Sequence, residues 1–215
     1  MSINQDRPNG FTPIGTMSGS PWNAYVRYYE TDASEGTAIG IGDAVTLEAD
    51  GNIAPAAAGE VILGVCVGVP PHISTKVSGL SDNFLSSTSP SLVPAYSAAS
   101  TAGVIAVCVG PDVLYEVQED GDTDPLELID VGSNVELIAT HAVSTTTGRS
   151  GQEIDSSSHT TGTAQFRLIG MVDRPDNQQG DVDSTLPNAR WIVRINENHF
   201  TVIDDGGTVE GGEGI

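Results

Sequence analysis

The sequence predicts an all-β chain, a barrel or sandwich with an extended N-terminal arm and long loops, and three observations carry that prediction. Ala44, Thr46 and Glu48 alternate with Val45, Leu47 and Ala49 before Asp50-Gly51 breaks the run, the mark of a half-buried strand entering a tight turn. Val61-Ile62-Leu63-Gly64-Val65-Cys66-Val67-Gly68-Val69 is apolar, β-branched and interrupted by glycines, as a strand covered on both faces reads. No segment keeps an apolar helical period through three turns.

The first stretch, 1–38, is punctuated by Pro8, Gly10, Pro13, Gly15, Gly19 and Pro21, yet holds Phe11, Trp22, Tyr25, Tyr28 and Tyr29. Irregular chain so rich in rings needs somewhere to bury them. It reads as an arm lying across its own barrel or reaching a neighbouring chain, with Phe11, Ile14, Trp22, Tyr25 and Tyr28 as contacts; the alternative is an ordinary edge strand over 24–30. Cations are scarce, so Arg7, Arg27 and Arg149 are candidates for pairing with acidic neighbours, the alternative being local surface pairs worth under about 1 kcal/mol.

The β domain spans 39–203. Within it Gly42-Asp43-Ala44-Val45-Thr46-Leu47 has a counterpart in Gly132-Ser133-Asn134-Val135-Glu136-Leu137, and Ile62-Leu63-Gly64-Val65-Cys66 has one in Leu168-Ile169-Gly170-Met171-Val172. These phrases suggest a duplicated strand-turn-strand unit, a pseudo-repeat of 39–117 and 130–203, against chance reuse of short β phrases. Pro70 to Ala99 is a Ser/Pro/Thr-rich surface excursion. Val104–Val109 and Val113–Val117 read as a hairpin around Gly110-Pro111-Asp112. Asp120-Gly121-Asp122-Thr123-Asp124 has the opening of a calcium loop, but Pro125 and Val131 stand where that loop wants Gly and Glu, so an exposed acidic turn is the reading. Residues 141–164 form a Thr/Ser/Gly excursion. Phe166–Val172 and Ala189–Ile195 are closing strands, the second placing Trp191, Val193 and Ile195 on one face. The tail, 204–215, is glycine and acid and in isolation should be disordered.

Composition narrows the function. The 215 residues are enough for a sizeable core. A formal charge of −21 repels phosphate backbones and anionic membranes, which argues against nucleic-acid and membrane partners. The longest apolar run is too short to span a bilayer. The opening residues lack a signal-peptide apolar region, so synthesis in a cytosol is expected. Cys66 and Cys108 sit in apolar strands and read as buried free thiols.

No catalytic constellation closes. Gly148-Arg149-Ser150-Gly151 lacks the nucleophile-elbow pattern, and His72, His141, His159 and His199 have no metal-ligand spacing. No cofactor is implied, and a non-enzymatic scaffold or binding surface is expected.

Three segments taken together, Asn9-Gly-Phe-Thr-Pro-Ile-Gly-Thr-Met-Ser-Gly-Ser-Pro-Trp22, Thr147-Gly-Arg-Ser-Gly-Gln-Glu-Ile-Asp-Ser-Ser157, and Leu168-Ile-Gly-Met-Val-Asp-Arg-Pro-Asp-Asn177 with Ala189-Arg-Trp-Ile-Val-Arg-Ile-Asn196, resemble tailed-phage capsid decoration (cement) proteins. The resemblance implies a homotrimer on the outer surface of the head, assembled in the host cytoplasm and bracing the major capsid protein shell. The rival expectation is a carbohydrate- or host-binding module on the virion, a head fibre or tail accessory, with Trp22, Tyr25, Tyr28 or Trp191 as sugar platforms. A third is an enzyme or lectin-like barrel outside phage.

Overall fold

A computed structural model describes residues 4–70, 96–177 and 187–200. Most of the excursion at 70–99 and the whole 204–215 tail lie outside these residues. The described chain is all β, with short 3-10 turns between strands.

Two antiparallel sheets pack against each other. The first runs β1 (Thr12–Thr16), β7 (Val113–Gln118), β12 (Arg190–Ile195), β11 (Phe166–Met171) and β8 (Asn134–Val135), in that spatial order. The second runs β2 (Val26–Thr31), β6 (Gly103–Cys108), β5 (Gly64–Gly68), β3 (Ala44–Leu47) and β4 (Ile53–Pro55). A separate pair joins β9 (Leu137–Ile138) to β10 (Glu153–Ile154). The second sheet curls until Cα atoms of its two edge strands, β2 and β4, approach within 8 Å.

The curl creates two apolar interiors. Between the sheets lie Ala44, Val65 and Cys108 from one, and Tyr115, Val117, Phe166, Leu168, Trp191 and Val193 from the other. Inside the curled sheet lie Val45, Ile53, Cys66, Ile105 and Val107. The alternation expected of 190–195 is present: Trp191, Val193 and Ile195 are buried, and Arg190, Ile192 and Arg194 partly exposed. Gly64, Val65 and Cys66 are all buried, as a strand covered on both faces requires. Asp50-Gly51 makes its turn with Gly51 at φ +87°, and β3 and β4 pair on either side of it. Val65 stands opposite Cys108, and Cys66 opposite Val107, so the two thiols lie on neighbouring strands but point to opposite faces. Burial pushes the Cys66 thiol up to about 12 and raises that of Cys108.

The two sheets share one four-strand plan. In spatial order β2-β6-β5-β3 corresponds to β7-β12-β11-β8, and within each set the strands come in the same chain order. Gly42 (φ +100°) and Gly132 (φ +99°) each precede the fourth of these positions, β3 and β8. The Gly42 N–H donates to the Cys66 carbonyl and the Cys66 N–H to that of Asp43; the Gly132 N–H donates to Leu168 and the Leu168 N–H to Ser133. A bulge follows in both, between Cys66 and Gly68 and between Leu168 and Gly170. Geometry therefore equates Gly68 with Gly170, whereas the sequence phrases equate Gly64 with Gly170, a slip of four residues. The plan also divides the chain between β6 and β7, which assigns 113–117 to the second set, not to the first repeat.

One expectation is corrected. Val104–Val109 and Val113–Val117 do not form a hairpin: β6 pairs with β2 and β5, β7 with β1 and β12, and the intervening turn carries the chain from one sheet to the other. Gly110 is required there, because a Cβ would stand 2.6 Å from the ring of Tyr25. The described part of 1–38 lies along the chain's own sheets, the first of the two courses expected for it. Its strands β1 and β2 are edges of the chain's own sheets, and Phe11 is buried in the inter-sheet core. Phe11, Trp22, Tyr25 and Tyr29 find apolar cover within the same chain, as the edge-strand alternative for 24–30 required, whereas Tyr28 does not.

Candidate functional site: a polar cleft and an exposed apolar face

After β11 the chain turns through Asp173-Arg174-Pro175-Asp176-Asn177, closed by the Asn177 N–H donating to the Arg174 carbonyl at 3.0 Å. Asn177 is buried and fixes this turn to the start of β12. Its Nδ2 donates to the carbonyls of Val172 (2.8 Å) and Arg190 (2.9 Å), and its Oδ1 accepts from the Arg190 N–H at 2.7 Å. Three bonds from one buried amide leave the turn little freedom.

The turn aims Arg174 at Glu116 on β7. The guanidinium fork donates to both carboxylate oxygens, at 3.2 and 2.6 Å, and Arg190 Nη1 approaches the same carboxylate at 3.5 Å. A bidentate pair is geometrically specific even where solvent makes it weak. Arg190 Nη2 also donates to the Arg7 carbonyl at 3.0 Å, while the Arg7 N–H donates to Gln118 Oε1 at 3.1 Å. Gln118 Nε2 in turn donates to Asn188 Oδ1 at 3.3 Å. The N-terminal segment is thereby held beside β7 and β12 by its main chain, which leaves the Arg7 side chain exposed.

All of these residues except the buried Gln118 line a cleft of about 530 Å³, with the further amides of Asn4, Gln5 and Asn9 on its wall. Three of the chain's eight cationic residues, Arg7, Arg174 and Arg190, meet there, against Glu116 and Asp176. In a chain of −21 this wall carries a formal charge of +1 (three arginines less two acids).

A second constellation is acidic. Glu119, fully buried, accepts from the N–H groups of Leu126 (2.8 Å) and Ala189 (3.1 Å); burial pushes its carboxyl up to about 7 against those bonds. Glu153 lies 2.9 Å from His141 Nδ1, and burial raises its carboxyl while His141 pulls it back. Asp120, Asp122 and Asp155 bring carboxylate oxygens within 4.8 Å of one another, around Ser156. The Ser156 hydroxyl lies 2.8 Å from Asp120 Oδ1 and 3.0 Å from Asp122 Oδ1, and its N–H donates to Asp120 at 3.1 Å. Asp124 is not in this group; its N–H donates to Asp122 Oδ1 at 2.7 Å, as in an acidic turn.

The residues expected at an interface scatter. Arg7 lines the cleft. Phe11 is 1% exposed, stacked on Phe166, and unavailable to a partner. Trp22 and Tyr25, on the 3-10 turn Trp22–Tyr25, are half-buried against the inter-sheet core. Ile14 is exposed on β1. Arg27 is exposed, with Nη1 donating to the carbonyls of Ala24 and Val26. Arg149 is exposed on a segment that bridges to Ile41. Tyr28 stands 69% exposed on β2, opposite Ala106, and Val104 shares that face. Trp191 is 0% exposed, so it is no sugar platform.

Sequence reasoning missed Arg174, Arg190, Glu116 and Asn177. The scarcity of cations that singled out Arg7 applied equally to Arg174 and Arg190, and was the signal available. No family model, no curated protein and no solved structure matches this chain.

Proposed function

We propose that the chain is a non-enzymatic decoration protein of a tailed-phage head, assembled in the host cytoplasm and bound in three copies to the outside of the major capsid protein shell. The observation that carries the reading is the exposed end of the face shared by β2 and β6, where Tyr28 and Val104 stand with Glu30. Cys108, at one end of this face, is covered by the first sheet, whereas Tyr28 and Val104 stand beyond that cover. An exposed aromatic beside an exposed valine on an acidic protein is the kind of anchor that interfaces bury. The charge keeps the protein away from the packaged genome and so suits an outer position. Many copies on a lattice give avidity without tight single-site affinity.

The test adds the protein to expanded heads that lack it, and follows co-sedimentation and capsid melting. Binding with a raised melting temperature is expected, and Tyr28→Ser weakens both. Heads that melt alike with and without the protein overturn the reading.

A second reading, a saccharide-binding module on the virion surface, is supported by the cleft around Arg7, Glu116 and Arg190. Its polar wall suits a hydroxyl-rich ligand better than an apolar one.

A further inference from the structure

We infer that the cleft takes an acidic saccharide, a sugar of the uronic or sialic class with one carboxylate. The inference rests on the second reading above and names its ligand.

Several polar groups of the wall are already satisfied within the chain. Arg174 and Arg190 both face Glu116, and Arg190 also holds the Arg7 carbonyl. Asn177 spends both its amide hydrogens and its oxygen on the chain itself. These residues build the wall. Arg7 differs: its main chain is tied on both sides, through Gln118 and Arg190, while its exposed guanidinium shares the cleft with Arg174 and Arg190. The position of its Cα is thus fixed by bonds that do not use its charge. Such a residue has no backbone left to order when it meets a ligand carboxylate; only its side-chain rotamers must be fixed, and its planar fork matches the carboxylate in two parallel bonds.

Charge then selects among anions. The wall's formal +1 balances a monoanion. A phosphate monoester, near −2 at neutral pH, would meet the carboxylates of Glu116 and Asp176 with charge left over. The remaining lining selects for hydroxyls. Gln5, Asn9 and Asn188 present amides, which both donate and accept, and Glu116 accepts. A neutral sugar would have to bind without stacking, because among the described residues no aromatic lines the cleft, and stacking is the usual source of affinity for an uncharged pyranose. A volume of about 530 Å³ accommodates one or two sugar rings.

The experiment is ligand-observed NMR on the full chain with galacturonic acid and N-acetylneuraminic acid, alongside galactose, galactose 6-phosphate and galactose 6-sulfate. The acidic sugars are expected to bind at roughly millimolar Kd, as befits a small ligand with a single charged anchor. Galactose and the phosphate are expected to bind at least tenfold more weakly. Arg7→Gln should lose most of the binding with an unchanged melting temperature, since the main-chain bonds of Arg7 survive, while Arg167→Gln, on β11 outside the cleft, should bind as the parent does. Equal binding of galactose and galacturonic acid would overturn the acidic assignment and leave the saccharide reading standing. Absence of binding by any sugar would overturn both. Preference for the sulfate, or full binding by Arg7→Gln, would overturn the assignment of Arg7 to a carboxylate.

Discussion

Phe11 and Phe166 stack with ring centroids 4.4 Å apart and planes 16° from parallel, and Tyr115 meets Phe11 edge-on at 6.5 Å. Phe11 precedes an edge strand and Phe166 begins an inner one, so the stack fastens the N-terminal segment to the middle of the first sheet.

Truncating that fastening is costly. Phe11→Ala is expected to destabilise the protein by about 3–5 kcal/mol, the range for a fully buried phenylalanine. Ile14→Ala, three residues on but exposed, should cost under about 1 kcal/mol. Chemical denaturation of the two variants checks the difference; similar midpoints would place Phe11 outside the core.

Gly42 and Gly132 hold the same left-handed φ in the two matching sets of strands, but their surroundings differ. A Cβ on Gly42 would stand 2.6 Å from the Asn9 carbonyl, while one on Gly132 would meet nothing within 4 Å. Gly132→Ala should therefore cost only the conformational penalty, on the order of 1 kcal/mol. Gly42→Ala adds a backbone collision and should cost at least about 2 kcal/mol more. Melting temperatures of the pair test this, and equal losses would show that the N-terminal segment yields.

Three buried acids make stability depend on pH. Burial pushes Glu119 up to about 7 and Asp43 up to about 6, and raises Glu153 as well. Each binds its proton more tightly folded than unfolded. Its contribution is therefore complete below the unfolded value, near 4, and is lost as pH rises through the folded one. Stability should fall from pH 5 to pH 8, with Tm dropping by on the order of 5 °C. Glu119→Gln removes one titration and should shrink that drop. A Tm that rises with pH, or a variant with the parent's full slope, would contradict the assignment.

Much of this fold is legible wherever strand character is local. The Trp191-Val193-Ile195 face, the Asp50-Gly51 turn and the doubly covered strand at Gly64–Cys66 follow from period and composition alone. What failed depended on distance. Two strands around Gly110-Pro111-Asp112 look alike whether they pair or turn a corner between sheets, because the deciding partners, β2 and β12, lie far away in sequence. Glycine phrases in apolar strands slip easily, so Gly170 found Gly64 when its counterpart is Gly68. Phe11 looked available because nothing near it in sequence shows that Phe166 waits. The cleft is less legible still: its wall draws on residues 7, 116, 174 and 190, and no short motif spans that interval.

The opposed facing of Cys66 and Cys108 has a chemical consequence. Side chains on opposite sides of one sheet cannot join without turning a strand over, and a thiol raised to about 12 supplies almost no thiolate at neutral pH. The two thiols of the folded chain should therefore be indifferent to oxidant, unjoined alike in a reducing cell and in air-saturated water.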